Sequence, residues 1–110
     1  MELGDQLHGY GLLRLAQGRA GDAVPMLEEA LEIRQRTNAN ATFTADTRFA
    51  LARALWDGEK ARSRAVSLAT AARETYAKHD RAREQNAVAS WLAGHAPAGK
   101  QARSFVSSRP

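Results

Sequence analysis

The chain of 110 residues has no cysteine. That excludes disulfide frameworks, thiolate nucleophiles and sulfur-ligated zinc, and leaves any metal to histidine or carboxylate ligands. Aromatic residues make up only 6% and there are three prolines. β-structure is therefore short of its favoured residues, whereas the helix formers Ala and Leu are plentiful, so an all-α chain is expected. No apolar run approaches the roughly 20 residues needed to cross a bilayer; the longest, Ala87–Ala93, falls far short. The opening Met1-Glu2-Leu3-Gly4-Asp5 has acids where a secretory signal would have Lys or Arg, and a cytoplasmic location is expected. In that setting Asn40-Ala41-Thr42, which matches a glycosylation acceptor, reads as the start of a helix.

What is present suits one small globular domain, with 44% hydrophobic and 25% charged residues. The net charge of +4 is uneven: residues 1–58 hold eight acids and six bases, residues 59–84 four acids and seven bases, and the remainder three bases and no acid. Such a gradient can attract phosphate or an anionic surface, but on helices it more simply marks a solvated face with ion pairs at three- and four-residue spacing.

Apolar periodicity places helices at about 2–17, 22–36, 44–56, 60–79 and 81–93, giving a helical domain over 1–95 and a flexible basic tail over 96–110. The first helix is apolar over more than one stripe and is expected to be packed on two sides. Gly18 and Gly21 break the chain into a tight hairpin, with Asp22 starting the second helix and Pro25 in its first turn, where a missing N–H costs little. Thr37–Thr44 reads as a loop with Thr42 or Thr44 as the next N-cap. The fourth helix carries Ala61, Ala65, Leu68, Ala69, Ala72 and Tyr76 on one face, small side chains that let two helix axes approach closely. Asp80 is expected to cap the fifth helix, and Gly94 and Pro97 to stop it.

An internal repeat is visible. Gly11-Leu-Leu-Arg-Leu-Ala-Gln-Gly-Arg-Ala-Gly-Asp-Ala23 parallels Ala50-Leu-Ala-Arg-Ala-Leu-Trp-Asp-Gly-Glu-Lys-Ala61, and beyond each turn Ala23, Leu27, Ala30 and Leu31 correspond to Ala65, Leu68 and Ala69 with Ala61 leading. A period of 38 to 39 residues indicates stacked helical hairpins. Gly18-Arg-Ala-Gly-Asp-Ala-Val-Pro-Met-Leu-Glu-Glu-Ala-Leu-Glu-Ile33 closely resembles the turn and second helix of a tetratricopeptide repeat, of the long variety found in kinesin light chains and many bacterial proteins. Arg48-Phe-Ala-Leu-Ala-Arg-Ala-Leu-Trp56 and the ending at Trp91-Leu92-Ala93 are similar to the last repeats of large bacterial signalling proteins.

The resemblance covers roughly residues 4–93. It implies a right-handed α-α superhelix: a stack of antiparallel helix hairpins, two repeats plus a C-terminal capping helix. The implied function is protein–protein interaction, with a peptide or protein segment held on the concave helix surface, within a larger bacterial regulatory or signalling protein. On the family pattern the groove positions are His8, Leu12, Arg48, Leu51 and Gln85. Such stacks normally need about three repeats to bury a continuous core, so the N-terminal edge is expected to dock on upstream repeats or to form a homodimer.

Other chemistry finds little footing. His8, His79 and His95 fall in different elements and none has a carboxylate at i+4, so no metal is expected. Gly94-His-Ala-Pro-Ala-Gly-Lys-Gln101 approaches a phosphate loop, but Gln101 replaces the required hydroxyl and no strand precedes it; no cofactor is expected. Trp56 and Trp91 sit on Ala/Leu faces and read as packing rather than base-stacking residues. No polar cluster has spacing that demands catalysis, and no enzyme activity is expected. The rival functional class is binding of nucleic acid or an anionic surface through Lys60, Arg62, Arg64, Arg73, Arg81 and Arg83, and a purely structural self-association module is the third.

Overall fold

The computed structural model describes residues 3–59 and 61–95, the Glu59 side chain excepted. They form α1 (Leu3–Ala16), α2 (Ala20–Arg36), α3 (Ala41–Ala54), α4 (Arg62–Lys78) and α5 (Ala82–His95), with a π-helical segment, Leu55–Glu59, continuing α3. No strand occurs among the described residues, so the chain is all-α as its composition requires. Among the described residues no helix is long and apolar enough to cross a membrane. The expected tail, 96–110, and Lys60 lie outside the described residues.

Three helices end by the same device. After α1, Gly18 takes φ +74° and the Arg19 amide donates to the Arg14 carbonyl at 2.8 Å. After α2, Asn38 takes φ 55° and the Ala39 amide reaches the Arg34 carbonyl at 2.9 Å; after α4, Asp80 takes φ 57° and the Arg81 amide reaches the Tyr76 carbonyl at 2.9 Å. A left-handed residue turns the chain so that a following N–H satisfies a carbonyl left over at the helix end, and Gly, Asn and Asp tolerate that conformation best. Asp80 is therefore part of the turn that closes α4, not the cap of α5.

Other boundaries also shift. The cap of α3 is Asn40, whose side-chain oxygen accepts from the Thr42 amide at 2.9 Å, so α3 starts at Ala41 and the expected loop shortens. α2 begins at Ala20 rather than Asp22, with Asp22 instead paired to Arg19. Pro25 consequently falls in the second turn and the Gly21 carbonyl loses its i+4 donor, at an exposed position where water can replace it. α5 continues through Gly94 to His95. The helical path does not stop at Trp56: the π segment runs on to Glu59, and beyond it the Ala61 amide donates to the Leu55 carbonyl at 3.1 Å.

Each helix packs on its neighbours in the chain, α1 on α2, α2 on α3, α3 on α4 and α4 on α5, while α1 meets α3 only lightly. The core is built from Leu27 and Leu31 of α2, Ala45 and Leu51 of α3, Leu55 of the π segment, Ala65, Ala69, Ala72 and Tyr76 of α4, and Val88 and Leu92 of α5. Two glycines permit close approach. A Cβ on Gly11 would stand 2.5 Å from Leu27 Cγ, and one on Gly58 would stand 2.6 Å from the Gly21 amide nitrogen, so the π segment rests directly on the start of α2. The expectation that α1 is covered on two sides fails: Leu3, Tyr10 and Leu13 remain 53%, 56% and 47% exposed along its outer face.

Candidate functional site

A groove of about 320 Å³ crosses the helices, lined by His8 and Leu12 of α1, Asp46, Phe49, Ala50 and Arg53 of α3, Tyr76 of α4, and Glu84 and Ala87 of α5. Helical spacing explains the set. His8 and Leu12 are one turn apart, as are Asp46, Phe49 and Ala50 with Arg53 one turn on, so each helix turns one stripe to the same depression. The apolar lining comes from Leu12, Phe49 and Ala50, with the exposed Ala87 at the wall; the polar groups are two carboxylates, a guanidinium, a phenol and an imidazole.

The polar groups are held from behind by a buried network. Arg34, 5% exposed, donates from Nη1 to the Phe43 carbonyl at 2.6 Å and to Thr47 Oγ1 at 3.1 Å, and from Nη2 to Asp5 Oδ1 at 2.6 Å. One guanidinium thus joins α1, α2 and α3, and its charge is satisfied by hydrogen bonds as burial demands. Thr47, itself fully buried, lies 3.0 Å from His8 Nδ1. Burial, assisted by the nearby Arg34 charge and opposed by Asp46 and Asp5, lowers the His8 pKa from its ordinary value, which favours the neutral ring. On the far side, the Tyr76 hydroxyl donates to Asp46 Oδ1. Burial first, then that hydrogen bond and the charges of Asp46 and Glu84, hold the phenol well above its usual range, so it remains a donor.

Of the residues singled out from the sequence, His8 and Leu12 line this groove. Leu51 does not: at 0% exposure it belongs to the core and offers no surface to a partner. Arg48 and Gln85 are half-buried and lie outside the lining. Asp46, Phe49, Arg53, Tyr76, Glu84 and Ala87 were not anticipated as lining residues; the i, i+3, i+4 spacing of Asp46, Phe49 and Ala50 was the available signal.

The aromatic residues form a half-buried cluster beside the groove. Trp91 meets Phe49 and Trp56 edge-on, with centroids 5.9 and 5.6 Å apart, and stacks on His95 at 4.5 Å. Arg62 covers the Trp56 ring at 4.7 Å and Arg53 lies over Phe49 at 5.8 Å. Two further arginines of the basic half are paired: Arg64 donates to Glu28 Oε1 at 2.8 Å, which holds the Glu28 carboxyl below its ordinary pKa, and Arg81 lies 3.6 Å from Glu84. A second, wider depression between α2 and α4 is lined by Glu28, Glu29, Glu32 and Arg64. Among the described residues no group of three or more His, Cys, Asp or Glu side chains could hold a metal. No family model, curated protein or solved structure matches this chain.

Proposed function

We propose that the chain is a protein-recognition module of the tetratricopeptide-repeat type, which holds a peptide segment in the groove across α1, α3 and α5. The observation that carries this reading is that these three alternate helices contribute side chains to a single depression with an apolar floor and polar walls. Helices fixed by their neighbours present such a surface already ordered, which lowers the entropy cost of binding. The repeated Leu-Arg-to-Gly-turn pattern in the sequence supports the same reading.

The test uses an immobilised array of acetylated, amidated nine-residue peptides with apolar centres and varied flanks, followed by fluorescence anisotropy on the peptides retained. Ala87 is exposed on the groove wall. Ala87→Glu should fill the opening and weaken binding at least about tenfold, in keeping with the loss of a few apolar contacts, without changing thermal unfolding. Failure of the wild-type chain to bind any array peptide overturns the reading.

A second reading, self-association, is favoured by one observation: the uncovered row of Leu3, Tyr10 and Leu13 on α1. A face of this kind is characteristic of surfaces that meet another protein.

A further inference from the structure

The hydrogen-bond network behind the groove bears on which nitrogen of His8 carries the proton, and with it on the kind of partner atom the groove can accept. Thr47 Oγ1 receives Arg34 Nη1 at 3.1 Å, so it has one proton of its own to give. Two acceptors are in reach, His8 Nδ1 at 3.0 Å and the Phe43 carbonyl at 3.4 Å. The carbonyl already receives Arg34 Nη1 at 2.6 Å, and the imidazole nitrogen is the nearer. This arrangement favours donation by Thr47 to Nδ1, in which case a neutral ring carries its proton on Nε2.

From this geometry we infer that His8 is the specificity-determining donor of the groove, offering Nε2–H to a neutral carbonyl of a bound peptide. The inference rests on the peptide-recognition reading and names its chemistry. Carboxylate and phosphate acceptors are disfavoured because the cation closest behind the ring, Arg34, is buried and already committed to Asp5, Phe43 and Thr47. Asp46 and Asp5 also face the ring, and the groove lining holds two carboxylates, Asp46 and Glu84, against the single guanidinium of Arg53, which lies over Phe49. The segment that fits has an apolar side chain for the floor, a carbonyl for His8, and lysine rather than aspartate beside it.

Two measurements test this. In the free protein, long-range proton–nitrogen correlation of the imidazoles should show His8 as a single Nε2–H tautomer, and Thr47→Val should abolish that preference. A wild-type His8 protonated on Nδ1, or mixed, overturns the inference. In the second, the array peptides carry a central leucine flanked by lysine, asparagine or aspartate. Lysine and asparagine flanks should be retained over aspartate. His8→Leu should weaken the retained peptides roughly tenfold, the size expected for one hydrogen bond in a groove. His8→Gln, which keeps an N–H near the same place, should recover most of the loss. Preference for aspartate, or equal binding by wild type and His8→Leu, overturns the role of His8 while leaving peptide recognition standing. Absence of binding to every peptide overturns recognition itself, and the role of His8 with it.

Discussion

Gly58 lies so close to Gly21 that a methyl group on Gly58 would stand 2.6 Å from the Gly21 nitrogen and 2.8 Å from its Cα. The obstacle is backbone, which cannot rotate away as a side chain would. Gly58→Ala is expected to destabilise the fold by about 1 to 3 kcal/mol, the usual penalty for overpacking. Urea denaturation measures it, and Gly21→Ala, which has nothing within 4 Å of its Cβ position, serves as the control.

Gly9 and Gly11 share one helix and should respond oppositely. At Gly9 a Cβ meets nothing within 4 Å, whereas at Gly11 it stands 2.5 Å from Leu27 Cγ, and Leu27 is fully buried. Gly9→Ala should stabilise by roughly 0.5 to 1 kcal/mol through helix propensity. Gly11→Ala gains the same propensity but must displace Leu27, for a net loss of up to about 2 kcal/mol. Paired chemical denaturation curves give both signs.

Arg34→Met tests the buried guanidinium. Loss of its bonds to Phe43, Thr47 and Asp5 should cost about 2 to 3 kcal/mol. The penalty stays below the ~3 to 5 kcal/mol of a fully buried pair because Asp5, the charge left behind, is half exposed. Calorimetric unfolding should show the loss, and imidazole NMR should show His8 altered in the same variant.

Acidification gives a separate readout. The folded protein lowers the His8 pKa below its ordinary 6.5, so in the window between the two values the unfolded chain binds a proton that the folded chain does not. Stability therefore rises with pH through that window and falls as pH drops below 6.5. The wild-type Tm should decline more steeply than that of His8→Gln over that range. The Glu28 carboxyl is lowered below 4.5 by Arg64, so its contribution is present above 4.5 and is lost only as the pH falls further. The two windows separate on one acid titration.

Self-association through α1 predicts a concentration-dependent sedimentation coefficient that Tyr10→Lys with Leu13→Glu abolishes, the monomer keeping its Tm. A wild-type chain that sediments as a monomer at every concentration contradicts that use of the face.

The five helices and most of the apolar stripes were legible because periodicity and breakers, Gly18 above all, act locally. The Ala65, Ala69 and Ala72 row is buried as its spacing suggested. Asn40-Ala41-Thr42 does start a helix, but the cap expected at Thr42 or Thr44 is Asn40 itself, because Ser, Thr, Asn and Asp all serve as caps. Asp80 reads as a cap in the sequence because Asp suits both helix starts and left-handed turns, and only backbone geometry separates the two. The π segment, Leu55–Glu59, has no distinct residue signature. At the groove, His8 and Leu12 come only from the family resemblance, and both fall in the lining. Leu51, which comes from the same family pattern, is buried in the core, and nothing local marks Arg34, since its partners lie nine, thirteen and 29 residues away.

Because every helix rests chiefly on the ones before and after it, cohesion here runs along the chain like links rather than outward from a hub. Amide protons of α3, clasped on both flanks, should exchange with deuterium last, and those of α1 and α5 first. A ligand spanning α1, α3 and α5 would then fasten both loose ends to the middle, and slowed exchange at the two extremities would be its most sensitive signature.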